Sequence, residues 1–409
     1  MGAEPDDTCD VAIVGGGPAG LAAATELRAL GIGSVIVIER ESEIGGIPRH
    51  CGHYPFGMRE LGRVLRGPDY AARLAVRARD SGVDIRTGTS VVAIAEGPRL
   101  TLSTPDGLRT LAARKVLLAT GVREKSRAAR MIGGTKPGGV LSTGALQGLV
   151  YLDRIRPFLH PVILGTELVA FSALLTCRHL GIRPLAMIEP DARVTAPRAS
   201  GFLPRLTGTA LLLRTELVAI RGDARVEEVV LRDRAGTTRT LATDGVIVTG
   251  KFLPEASLLA GSHIDVDPTS GGPVVDQFGR CSDPDVFAAG NLLRAVETAG
   301  WSWTEGVAAA QTIAKSLNGG LPAPAGAIQV GVEAPLKYVV PQRIVDGPVS
   351  GRFQLRVTRP ANGTLRLSVD GCEVWSRRIS ALPERRILVP ISVLPPLAGA
   401  SAIFSIAEG

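Results

Sequence analysis

The chain is organised around Asp10-Val-Ala-Ile-Val14-Gly15-Gly16-Gly17-Pro18-Ala19-Gly20, followed by an Ala/Leu-rich run that ends at Leu30-Gly31. Val11 to Val14 reads as a fully buried β-strand, and Gly15, Gly17 and Gly20 fit G-x-G-x-x-G. Gly15 allows the tight turn, Gly17 lets backbone approach a pyrophosphate, and Gly20 permits close packing of helix on strand. The helix that follows presents free N–H groups and the positive end of its dipole to an anion. Leu21, Ala24, Leu27 and Leu30 share one face of it, and Gly31 suits its C-terminal cap. A second strand, Ser34 to Ile38, delivers Glu39 nineteen positions after Gly20, where a carboxylate can accept both hydroxyls of an adenosine ribose. A glycine-rich turn with no ligand would not need strand, glycines, helix, strand and acid in this register.

A length of 409 residues predicts two or three domains. With 45% hydrophobic and 21% charged residues the composition is that of a globular chain, and 4% aromatics predicts aliphatic cores. The formal charge of +7 comes from scattered arginines, not from a basic run with interleaved aromatics, so nucleic acid is not an expected partner. Cys9, Cys51, Cys177, Cys281 and Cys372 are far apart and lack any C-x-x-C pair. That argues against a disulfide framework, a metal site and an iron–sulfur cluster. The longest apolar stretch, Val162 to Leu175, is too short to span a bilayer and contains Glu167. With an acidic, non-apolar N-terminus, this predicts a cytoplasmic protein with no transmembrane segment.

Beyond Glu39 a loop from Ile44 to Gly57 concentrates glycine, His50, Cys51 and His53 at what a dinucleotide fold makes the ligand edge of the sheet. A helix over Tyr70 to Arg79, a strand at Val83 to Ile85 and a meander (Ser90 to Ala95, Leu100 to Ser103, Leu108 to Ala112) lead to a buried strand, Lys115 to Leu118, and the small turn Ala119-Thr120-Gly121. The same plan then recurs. Val162-Ile163-Leu164-Gly165 restarts it, Met187-Ile188-Glu189 matches Val37-Ile38-Glu39, and a second meander leads to Val246-Ile247-Val248-Thr249-Gly250. Val286 to Asn291 is a further strand and turn, and a helix is expected from Gly306 to Leu317, after Trp301-Ser302-Trp303. Alternating apolar residues at 353, 355 and 357, at 365, 367 and 369, and at 387, 389 and 391 mark a β-rich appendage. The expected fold is α/β, with two Rossmann-like modules, the second inserted in the first. The expected divisions are 8–155 and 271–322 for the first module, 156–270 for the second and 335–409 for the appendage.

These features resemble the flavoprotein superfamily with paired dinucleotide-binding domains typified by thioredoxin and glutathione reductases. More narrowly, Gly45-Gly46-Ile47-Pro48-Arg49-His50-Cys51-Gly52-His53 and Phe56-Gly57 look like FAD-binding subunits of multi-subunit amino-acid and opine dehydrogenases. The resemblance implies FAD in the first module, held by Gly15, Gly17, Pro18, Ala19, Gly20, Glu39, Arg40, Gly46, Ala119, Thr120, Gly121, Gly290 and Asn291. Asn291 stands where the superfamily has aspartate, and its amide can still bond a hydroxyl. In the second module, Glu167 and Ala170 replace the second and third glycines. A carboxylate there repels a pyrophosphate by roughly 4 kcal/mol at ~4 Å and an effective dielectric near 20, which argues against NAD(P).

Cys51, His50 and His53 are the candidate catalytic residues, as a lone thiol beside flavin and two acid/base groups. The alternatives are a packed thiol and histidines that only shape the loop. The expected function is an FAD-dependent oxidoreductase, a flavoprotein subunit of a dehydrogenase of a small amino-acid-like or hydroxy substrate. Its partner would be a flavoprotein or iron–sulfur subunit in a hetero-oligomer. Two other readings stand beside it: a non-catalytic subunit that holds FAD or an adenine nucleotide, and a stand-alone NAD(P)H-dependent flavin reductase.

Overall fold

The computed structural model describes residues 5–324, 326–347, 351–395 and 401–408. Strand Asp7–Val14 lies inside a seven-stranded sheet because both its faces are apolar. Val11 and Ile13 pack with Ala23, Ala24 and Leu27 of helix Pro18–Ala29, while Ala12 and Val14 enter a second core on the other face. The strand pairs in parallel with Val35–Ile38 on one side and with residues 111–118 on the other. The return strand Val286–Ala288 joins the same sheet beside residues 116–118.

Where the sequence suggests separate segments at 108–112 and 115–118, one strand runs from Gly107 to Leu118. No glycine, proline or asparagine interrupts Ala112 to Lys115, so nothing ends the strand. Its first half pairs antiparallel with Arg99–Thr104 and its second half parallel with the first strand, which makes the meander a branch of the main sheet.

The second module repeats the plan around Val162–Leu164, which is flanked in parallel by Ala186–Glu189 and Val246–Val248. Strands Gly133–Gly134 and Val140–Ser142 pair with this module's sheets, ahead of residue 156, where the sequence reading begins it. The chain leaves the first module through Val122–Arg123 and returns through Leu253–Pro254, and these two crossings pair with each other. The architecture is therefore α/β, with two dinucleotide-type modules and the second inserted in the first.

The last helix is longer than expected, running from Ala299 to Leu317 and taking Trp301 and Trp303 into its first turns. Gly306 lies inside it as a contact point, not at its start. A Cβ there would overlap the Ala19 carbonyl oxygen and lie 2.8 Å from its carbon, so glycine lets this helix cross the first one closely. Gly306→Ala should therefore destabilise the protein by about 1–3 kcal/mol, although alanine in a helix interior normally gains about 1 kcal/mol over glycine. Thermal unfolding of the two proteins checks the sign.

The appendage consists of a five-stranded and a three-stranded sheet. Phe353, Leu355, Leu365, Leu367, Val389 and Phe404 fill the core between them, with the two phenylalanine rings edge to face at 5.2 Å. It is not detached from the first module. Tyr338 and Val340 of its strand Leu336–Val340 enter the first module's core, and Gln342 donates its backbone N–H to Val275 O at 3.1 Å. Among the described residues no helix is long and apolar enough to cross a membrane.

Candidate functional site

The first glycine turn is built by close backbone approaches. Gly15 has φ +110°, and a Cβ on it would lie 2.5 Å from the Ala119 carbonyl oxygen, so this glycine seats the Ala119-Thr120-Gly121 turn against the first strand. A Cβ on Gly20 would overlap the Gly15 carbonyl oxygen. Gly17 differs: its Cβ would meet only Gly46 Cα, at 4.0 Å. It is also the N-cap of helix Pro18–Ala29 and has no side-chain cap of its own, so the first N–H groups are left for an external anion. Glu39 is buried; its Oε2 accepts the Gly16 N–H and its Oε1 the Glu41 N–H, both at 2.9 Å. These bonds aim the carboxylate and leave lone pairs for two hydroxyls.

Gly46 closes over the turn: Gly45 N–H donates to Gly16 O at 2.7 Å, and a Cβ on Gly46 would lie 2.9 Å from Gly17 Cα. On the far side Gly290 has φ +74°, and its Cβ would be 2.9 Å from that of Ala19. Beside it the Ser302 hydroxyl is buried without a partner. An uncapped helix start, an open glycine, an aimed carboxylate and an orphaned hydroxyl fit an adenine dinucleotide. Pro18 and Ala19 form the first turn at this mouth. Asn291 brackets the backbone of Glu297, donating to its carbonyl at 3.1 Å and accepting its N–H at 2.7 Å. Arg40 instead points outward beside Glu41.

Cys51 and His50 come together with a residue the sequence reading passed over. The Gln147 side-chain oxygen lies 3.5 Å from Cys51 Sγ and 3.4 Å from His50 Nδ1, while its amide donates to Ser172 Oγ at 2.8 Å. Gln147 ends the short helix Thr143–Gln147 of the second module, so this cluster bridges the two modules. Its one sequence signal was an amide within the apolar run Leu146 to Val150. His53 is not part of it: Nδ1 lies 3.0 Å from Tyr54 O, and the ring packs on Phe56.

Burial, with the nearby Glu124 carboxylate, pushes the Cys51 thiol up to about 12, so it is a thiol at neutral pH. Burial also lowers His50 below the usual imidazole range, which keeps it neutral and able to accept a proton only weakly. Iodoacetamide should therefore label exposed Cys372 rapidly and leave Cys51 almost untouched at pH 8, where a group near 12 is about 10⁻⁴ ionised. Peptide mapping by mass spectrometry reads this directly; equal labelling of the two would contradict it.

The second glycine turn is filled by its own side chains. Glu167 caps helix Leu168–His179, and its carboxylate lies between Gly165 and Gly250: a Cβ on Gly250 would be 2.5 Å from Oε1. Thr249 Oγ1 donates to Oε2 at 3.1 Å. Burial raises the Glu167 carboxyl, opposed by the nearby Arg130 guanidinium. Glu189, the counterpart of Glu39, accepts the Thr166 hydroxyl, the Asp191 N–H at 3.1 Å and the Thr195 hydroxyl at 3.4 Å. Internal groups thus stand where a phosphate and a ribose would be bound. Among the described residues no cluster of histidine, cysteine or acidic side chains is arranged to hold a metal, and all five cysteines are free.

This fold and site define a two-module dinucleotide-binding protein with an open first slot and an internally filled second one. The pyridine nucleotide-disulphide oxidoreductase family model matches residues 9–126. The chain is 24% identical over 323 residues to thioredoxin reductase of Aquifex aeolicus (strain VF5), across 77% of this chain and 95% of the relative. It is 33% identical over 162 residues to hydrogen cyanide synthase subunit HcnB of Pseudomonas protegens, across 38% of this chain and only 32% of the relative. The crystal structure of T. acidophilum thioredoxin reductase superposes with a TM-score of 0.63 at 24% identity, covering 76% of this chain and 98% of that one. The match over residues 9–126 and the thioredoxin reductase-like relatives support the pyridine nucleotide-disulphide oxidoreductase superfamily, whose members bind FAD, usually with NAD(P)H as second substrate.

Proposed function

We propose that this chain is the flavoprotein subunit of a multi-component dehydrogenase of a small amino-acid-like or hydroxy substrate. FAD, when bound, accepts two electrons from such a substrate and passes them on. In this reading the turns at Gly15–Gly20, Glu39, Gly46, Ala119–Gly121 and Gly290-Asn291 hold the cofactor, and His50, Cys51 and Gln147 meet where the two modules join. There Gln147 supplies an oriented amide and Cys51 a neutral thiol.

The observation that carries the proposal is the contrast between the two slots. The first leaves Gly17 open and spare lone pairs on Glu39, whereas the second is occupied by Glu167 and by the Thr166–Glu189–Thr195 bonds. A stand-alone NAD(P)H reductase needs the second slot, and a thioredoxin-type dithiol step needs a cysteine pair that Cys51 does not have. The likeness to a chain named as a synthase subunit supports the multi-component part of the reading. Small acidic or amino-acid substrates should bleach the flavin of the isolated chain slowly, and turnover with an artificial acceptor should need the native complex. Size-exclusion chromatography with assays on the isolated and assembled chain tests this. Full turnover by the isolated chain would refute the subunit reading, and NAD(P)H-driven turnover would favour the reductase.

A further inference from the structure

We propose that the C-terminal β-sandwich retains the FAD of the first module by clamping the Gly290-Asn291 turn. This rests on the reading that the turn is part of the FAD site. Two separate ties run from the sandwich to that turn. In the first, Arg294 is fully buried, and its Nη1 donates to the Gly290 carbonyl at 3.1 Å and to Glu305 at 3.2 Å. Its remaining donors turn towards the sandwich: Nε and Nη2 both donate to the Gln354 side-chain oxygen, at 3.1 and 2.8 Å, and Nη2 also bonds Glu305. Arg386, also from the sandwich, donates to the same Gln354 oxygen at 2.8 Å, and Gln354 Nε2 returns a bond to Glu305 at 3.2 Å.

The second tie runs through Asn291. Its side chain brackets the backbone of Glu297, whose carboxylate pairs with Arg356 of the sandwich at 2.8 Å and lies 3.8 Å from Arg386. Arg356 also donates to Val296 O at 2.8 Å. Both residues of the turn are therefore held from the same neighbouring unit. The Gly290 carbonyl and the Asn291 N–H share one peptide plane, so fixing the carbonyl fixes the direction in which that N–H is presented. Gly290 has φ +74°, one of several conformations glycine reaches without strain, so the surrounding bonds select it. Loss of the Gln354 oxygen strands Arg294 Nε without its acceptor in a buried position, and the loop can recover only by moving. Gln354, Arg294 and Arg356 are positioning residues: they act on the cofactor through the turn.

The test measures FAD dissociation constants and release rates, by flavin fluorescence, for the full chain and its variants, with folding checked by circular dichroism. Gln354→Leu should weaken FAD binding at least tenfold, mainly through faster release. Gln354→Glu, which keeps an acceptor for Arg294 and Arg386 but loses the bond to Glu305, should weaken binding less than Gln354→Leu does. Arg359→Ala, which removes only the exposed Arg359–Glu408 pair within the sandwich, should leave both constants unchanged. If Gln354→Leu does not fold, Arg386→Met removes one donor from the same oxygen and should raise the dissociation constant about threefold. Original-chain binding and release in whichever of these two folds would overturn the clamp while leaving the FAD assignment intact. Absence of FAD binding by the unaltered chain would overturn the FAD assignment and the clamp together.

Discussion

Replacing Gly17 by valine should strip FAD from the chain while leaving it folded. Gly17 has φ −82° and ψ −174°, extended backbone that valine adopts without strain. The protein offers its would-be Cβ only Gly46 Cα at 4.0 Å, so no internal clash follows. What the side chain meets is the approach to the uncapped helix start, where the backbone must come close to a pyrophosphate. A loss of affinity of at least a hundredfold, about 2.7 kcal/mol, is expected. Gly20→Val is the informative contrast, because its Cβ overlaps the Gly15 carbonyl oxygen. That variant should fail to fold, not merely to bind. Flavin content and thermal unfolding of the two proteins separate the effects, and a folded Gly17→Val chain with full flavin would contradict the assignment.

The second large effect concerns the nicotinamide nucleotides. With Glu167 seated between Gly165 and Gly250, a phosphate faces both an occupied volume and, when the carboxyl is ionised, a like charge worth roughly 4 kcal/mol at ~4 Å. That is about three orders of magnitude in affinity. Protonation of Glu167, which its burial favours, removes the charge but not the volume. NADH and NADPH should therefore reduce the flavin slowly and without saturation at micromolar concentration in anaerobic stopped-flow mixing. Replacing Glu167 and Thr166 together by glycine reopens the slot and frees one acceptor of Glu189; nucleotide affinity should then rise at least tenfold. Rapid, saturable bleaching of the unaltered chain would defeat this account of the second module.

The parts of the molecule that were legible in the sequence are those set by short spacings. Gly15, Gly17, Gly20 and Glu39 sit within one strand–helix–strand unit, so local pattern is enough to place them. The tandem modules show because the plan repeats, down to Glu189 in the place of Glu39. The extent of the helix Ala299–Leu317 was missed because its first residues read as a tryptophan-rich connection, and Gly306 looked like a start instead of a crossing point. Gln147 was missed because its partners Cys51 and His50 lie almost a hundred residues away, on the other module. The Arg294–Gln354 network has no local signature at all. It unites a loop, a helix and the appendage, and only the folded chain brings them together.

One pair of titrations separates the two slots: the apo-chain with FAD, and the FAD-loaded chain with NADH and NADPH, followed by fluorescence or calorimetry. With an open first slot and a filled second one, the chain should bind one FAD tightly and no nicotinamide nucleotide at concentrations that saturate ordinary reductases. Stoichiometric micromolar binding of NADH or NADPH, or a folded chain that takes up no FAD, would contradict this.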